Sequence, residues 1–257
     1  PIFHSLLEKG AIDKPTAFLH TALYAAVHQG DLVKVKELIA RGSNLNQYFY
    51  DGYRTLVYAA ARYRQRDVLK YLLSLNMHPD TCHESAHFLN YSNEERIQLT
   101  PLTAAIANGD LESVQLLLEA GASPNLLSNG VPPLHFASIE AHFADSETLD
   151  YRSLLCTRLA IIDALLNAGA CIDETCNNGE TFLIKMIKSR ETEIARLLIE
   201  AGANINIADK NGQYPIDYAL AKNQVQIAHV LLNAGAKHSA NPETAEFLSQ
   251  LQEINKD

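Results

Sequence analysis

Val114-Gln-Leu-Leu-Leu-Glu-Ala-Gly-Ala-Ser-Pro-Asn125 is an apolar helix end, a glycine stop and an asparagine. It recurs along the chain as Leu6-Leu-Glu-Lys-Gly-Ala11, Leu38-Ile-Ala-Arg-Gly-Ser-Asn-Leu-Asn46, Leu165-Leu-Asn-Ala-Gly-Ala170, Leu197-Leu-Ile-Glu-Ala-Gly-Ala-Asn-Ile-Asn206 and Leu231-Leu-Asn-Ala-Gly-Ala236. A helix that ends and reverses on schedule needs a residue tolerant of positive φ after its last turn, which is glycine's role. A period of roughly 33 residues marks a stacked repeat, in which each unit buries its apolar face against its neighbours.

A second landmark sets the phase. Thr100-Pro-Leu-Thr-Ala-Ala-Ile-Ala-Asn-Gly-Asp110 precedes the stretch above, and its counterparts begin at Thr21, Thr55, Pro132, Thr181 and Tyr214. Threonine at a helix start can cap free backbone N–H groups, and proline suits the first turn. Small alanine pairs allow close helix approach, and the Leu-Leu pairs give an outer helix its buried stripe.

These motifs resemble the ankyrin repeat, with its Thr-Pro-Leu-His and Leu-Leu-x-x-Gly-Ala signatures. All twelve glycines sort into three places of that pattern: the hairpin turn, the bend between the helices and the end of the outer helix. The resemblance covers nearly the whole chain. It implies an all-α solenoid of about six helix-turn-helix units with β-hairpin fingers and capping helices. One domain is expected over 1–257, with 1–20 as an N-terminal cap or half repeat, six repeats over 21–238 and a capping segment over 239–257. Within that segment Asn241-Pro242 opens a helix to about residue 254.

Two spacings break the rhythm. Thr55 to Thr100 is 45 residues and Pro132 to Thr181 is 49. The first surplus lies in 81–99 and enlarges a finger. The second, 143–158, lies between two helices and partly lengthens the outer one backward, with Asp145 or Ser146 as its cap. Loops that outgrow their template carry function or neutral insertion.

A net charge of −9 argues against a general nucleic-acid binder. No apolar run is long enough to span a membrane. The four cysteines, Cys82, Cys156, Cys171 and Cys176, form no framework and read as reduced thiols of an intracellular, cytoplasmic protein. Zinc chemistry at Cys82, His83, Glu84 and His87 lacks any CxxC or HExxH spacing, so no metal or other cofactor is expected. No nucleophile elbow or phosphate-cradling glycine loop appears, and catalytic residues are not expected. The imidazole of His135 falls where the family uses it to bond backbone.

Against the acidic background, residues 47–73 carry five basic and two acidic side chains. Tyr48, Phe49, Tyr50, Tyr53 and Arg54 lie at or near a projecting turn; Arg62, Tyr63, Arg64 and Arg66 follow. Tyrosine and arginine are enriched at binding hot spots, and arginine pairs bidentately with carboxylate or phosphate. The resemblance implies that a partner lies across a concave face of finger tips and late inner-helix positions, including His28, Asn108, Glu140 and Lys188. The expected function is therefore non-enzymatic recognition of another protein, through an acidic or phosphorylated segment, by a monomer. A second reading makes the chain the substrate-recruiting part of a larger enzyme, such as a secreted bacterial effector acting in a host cell.

Overall fold

The computed structural model describes residues 15–45, 55–80, 99–138 and 151–239. These fall in two compact units, the first ending at Asn129 and the second beginning at Gly130. Among the described residues the fold is all-α, built from helix pairs, as the repeat predicts.

The first unit holds α1 (Pro15–Gln29) with α2 (Leu32–Ala40), α3 (Leu56–Arg62) with α4 (Arg66–Ser74), and α5 (Pro101–Ala107) with α6 (Leu111–Glu119). Inner helices α1, α3 and α5 pack in succession, and outer helices α2, α4 and α6 do the same. Ala59, Ala60, Ala61, Ala104 and Ala105 are buried at the inner contacts, where small side chains allow close approach. Val35, Leu38, Val68, Leu69, Leu72, Val114 and Leu117 supply the apolar stripe of the outer helices. Thr55 and Thr100 are N-caps, accepting from the N–H groups of Tyr58 and Thr103 at 3.1 Å each, a contact of about 1 kcal/mol. Thr21 departs from the expectation: α1 begins at Pro15, so Thr21 lies within the helix. Proline at the first helical position starts a helix as effectively as a threonine cap.

The second unit opens with a short 3-10 helix (Pro133–Ala137) and continues with α7 (Tyr151–Asn167), α8 (Phe182–Lys188), α9 (Thr192–Glu200), α10 (Pro215–Ala221) and α11 (Val225–Asn233). The inner helix expected at Pro132 is thus a single tight segment. Pro132 has no hydroxyl to cap it, and the chain leaves helical geometry at Ser138, with ψ 155°. Its partner α7 has 17 residues where α9 and α11 have nine, so residues 151–158 of the surplus extend this helix backward, and 143–150 lie outside the described residues. The expected caps Asp145 and Ser146 lie outside the described residues. Thr181 caps α8 through the N–H of Ile184, and Asp217 accepts from the N–H of Tyr214 at 2.8 Å to fix the start of α10.

The expected β-hairpin fingers are mostly turns. Thr175 and Thr181 form an isolated antiparallel bridge. Side chains hold the fingers instead: Asp209 accepts from the N–H groups of Asn211 and Gln213 at 2.9 and 3.0 Å. The Asp173 carboxylate accepts from the N–H of Asn204 in the next finger at 2.8 Å. The 81–98 stretch and the C-terminal capping segment from residue 240 lie outside the described residues.

Candidate functional site

In the first unit, the late residues of successive inner helices converge. Arg62 ends α3 and Tyr63 is its C-cap, so both occupy the turn before α4. The Tyr63 ring lies 3.9 Å from that of His28, at the end of α1. Gln65 donates through Nε2 to the His28 carbonyl at 2.9 Å, tying the second helix pair to the first.

On the other side stands Asn108, the C-cap of α5. Its Nδ2 donates to the carbonyls of Arg62 and Ala61 at 2.6 and 3.3 Å. Its Oδ1 accepts from Arg62 Nη1 at 2.9 Å, and its carbonyl accepts from Arg64 Nη2. Only 8% of Asn108 is exposed. The sequence reading placed it on the rim, but its amide is committed to the seam between two inner helices, as a buried polar group must be.

The arginines divide by partner. Arg66 Nε and Nη2 both lie 2.9 Å from Asp110 Oδ1, and its Nη1 lies 2.9 Å from Glu112 Oε2. Asp110 has a fully buried side chain, which also accepts from Ser113 Oγ at 2.7 Å at the start of α6. The charge of Arg66 is therefore neutralised within the fold. Arg62 and Arg64 are exposed, and among the described residues neither has a carboxylate within ion-pairing range. Tyr48, Phe49, Tyr50, Tyr53, Arg54 and Glu140 lie outside the described residues.

In the second unit Lys188, at the end of α8, pairs with Glu180 and sits 5.1 Å from the centre of the Tyr218 ring. The Tyr218 hydroxyl donates to Asp209 Oδ2 at 2.7 Å. Burial, the bond to Asp209 and that carboxylate's charge push the phenol up to about 12. Burial alone would raise Asp209, but bonds from Tyr218, Gln213 and Asn211 outweigh it and hold the carboxyl below its ordinary value.

His135 is 2% exposed and bonds backbone, as the resemblance implied. Its Nε2 lies 3.1 Å from the Glu174 carbonyl, which can only accept, so Nε2 carries the proton. Nδ1 is buried with no partner among the described residues. Burial and the nearby Lys185 ammonium favour the neutral ring against the opposing effects of the Glu174 carbonyl and Glu180. Its pKa falls to about 4.

Sequence reasoning missed Arg158, a fully buried arginine on α7. It donates through Nε to the Ala137 carbonyl at 2.9 Å and pairs with Glu191 Oε2 at 3.2 Å. Its position was a signal: 158, 161, 162 and 165 form one helical stripe, and the other three members are buried aliphatics.

Among the described residues no group of three His, Cys, Asp or Glu side chains could hold a metal ion. Cys82, His83, Glu84 and His87 lie outside the described residues, and Cys156 and Cys176 are free thiols. No helix among the described residues is long and apolar enough to cross a membrane.

A family model described as ankyrin repeats in three copies matches residues 1–82 and 154–242, and another described as ankyrin repeats in many copies matches 102–149. No curated protein matches the chain. Among solved structures, an ankyrin repeat domain from Acinetobacter baumannii is similar at 24% identity, with TM-score 0.65, covering 84% of this chain and 98% of its own. The ankyrin repeat domain of Bcl-3, a member of the IkappaB protein family, is similar at 21% identity and TM-score 0.64, covering 84% of this chain and 86% of its own. The human ASB11 ankyrin repeat domain is similar at 23% identity and TM-score 0.60, covering 84% of each chain.

Proposed function

The chain belongs to the ankyrin repeat family, whose repeats are generally protein–protein interaction modules, and from that premise we propose that it recognises another protein without catalysing a reaction. The surface is formed by the turns that close inner helices α1 and α3, joined on the sequence reading by Tyr48, Phe49, Tyr50 and Tyr53, which lie outside the described residues. The observation carrying this reading is the side-by-side placement of His28, Tyr63, Arg62 and Arg64, with two guanidiniums facing no described carboxylate. An exposed aromatic and arginine cluster of this kind supplies rigid contact area and charged donors together. The partner segment is therefore acidic or phosphorylated.

Arg66 and Asn108 support this surface without forming it, because both are engaged within the fold. The test uses the purified chain and a partner identified with it as bait. Replacing Tyr50, Tyr53, Arg62 and Arg64 together by alanine should weaken the measured affinity at least about tenfold, since hot-spot truncations each cost about 2 kcal/mol or more. Unchanged affinity at unchanged helicity sinks the proposal, as would turnover of a substrate by the chain itself.

A further inference from the structure

Arg64 stands where two of the other helix pairs use glycine. The residue two before the nine-residue outer helices α2, α4, α6, α9 and α11 has positive φ: 74° at Gly30, 57° at Arg64, 65° at Gly109, 61° at Arg190 and 52° at Asn223. For a long side chain this left-handed backbone carries a cost that glycine avoids. The strained position delivers a guanidinium to the Asn108 carbonyl, while Arg62, two residues earlier, reaches the Oδ1 of the same asparagine. Two like charges are thus gathered on one buried residue. Both bond only neutral oxygens there, and both side chains are exposed to solvent. Like charges brought together repel, and a counter-anion relieves that repulsion.

From this convergence we infer that Arg62 and Arg64, held by Asn108, form a docking site for the phosphate monoester of a phosphorylated side chain on the partner protein. The inference rests on the recognition reading above and names its ligand. A phosphate monoester carries a charge of about −1.5 to −2 near neutral pH and three acceptor oxygens, which matches two guanidiniums. A single carboxylate leaves half the positive charge unmatched. Bonds to Asn108 fix both arginines beforehand, so less rotamer freedom is lost on binding. Tyr63, whose ring meets that of His28 at a tilt of 57°, lies at the same turn.

The experiment follows the arginine Nε–H signals of the isotope-labelled protein by NMR at low ionic strength, where screening is weakest. Inorganic phosphate and acetate are titrated separately. Phosphate should shift Arg62 and Arg64 saturably, at concentrations about tenfold below those at which acetate acts, and should leave Arg66 and Arg158 in place. Arg62→Gln and Arg64→Gly should each weaken phosphate binding about tenfold, the effect of losing charged hydrogen bonds. Arg64→Gly also relieves the left-handed backbone, so a thermal midpoint at or above the parent's shows that the loss is not unfolding. Arg190→Gly removes the same strain elsewhere and should leave phosphate binding unchanged.

Absence of a saturable shift, an equal response to acetate, or undiminished binding by Arg64→Gly overturns the inference. If partner binding falls in the quadruple variant while phosphate leaves the arginines unmoved, recognition stands and the phosphate assignment fails. If phosphate binds while the quadruple variant holds its partner undiminished, the arginines take only a free anion, and docking of a partner's phosphate there is overturned.

Discussion

Arg158 lies completely buried against Glu191, Nη1 to Oε2 3.2 Å, and fills the space beside an inner helix that stops after five residues. Its Nε satisfies the Ala137 carbonyl at the end of that shortened helix, and its Nη2 lies 4.0 Å from the Met186 sulfur. A buried ion pair is weak evidence of net stability, but removing one partner strands the other charge. Arg158→Ala or Glu191→Ala should lower the stability of the second unit by about 3–5 kcal/mol. Replacing both together, Arg158→Met with Glu191→Leu, should cost far less. Urea denaturation of the four proteins checks this, and equal losses in single and double variants would show that packing, not charge, holds the site.

The neutral ring of His135 gives the second unit an acid sensitivity whose sign follows from its surroundings. It faces the Glu174 carbonyl, the Phe182 ring, the Lys185 ammonium and Glu180. The unfolded ring takes up a proton below about pH 6.5, whereas the folded one resists until about 4. The contribution is therefore complete above pH 6.5, falls as pH drops through the interval, and is gone below about 4. The loss amounts to about 3 kcal/mol over 2.5 pH units. Thermal midpoints measured from pH 7 to 4 should fall more steeply for the parent than for His135→Gln, which cannot titrate. Parallel profiles would refute it.

Tyr218 and Asp209 lock a finger to an inner helix. Spectroscopic titration of the tyrosines should reveal one phenol ionising near 12, and Asp209→Asn should return it toward the ordinary value near 10. Tyr218→Phe removes a hydrogen bond to a charged acceptor and should cost about 1.5–3 kcal/mol, discounted toward the lower end by partial exposure. Retention of the high-pH phenol in Asp209→Asn would point to burial alone as its cause.

The repeat phase was legible because the same residue types perform the same local tasks: Thr55, Thr100 and Thr181 cap helices, and Gly121 ends one with φ 89°. Local signals failed where the fold overrode them. Thr21 looks like a cap yet lies inside α1, since nothing in its own residue type forbids a helical neighbour upstream. The short 3-10 segment shows no breaker before Ser138; Arg158 replaces the packing that a longer helix would have provided, a contact spanning 21 residues. At the candidate site, Arg62 and Arg66 look alike in sequence. Only the approach of Asp110 and Glu112, 44 residues or more along the chain, separates a structural arginine from an available one.

Gln65 reaches back to the His28 carbonyl, and Gln224 does the same to the Ile187 carbonyl at 2.6 Å. The tie between neighbouring helix pairs and the surface proposed for recognition thus share atoms around His28. On the proposed reading, an alteration at Gln65 that loosens the tie between helix pairs would also disturb the place where a partner docks.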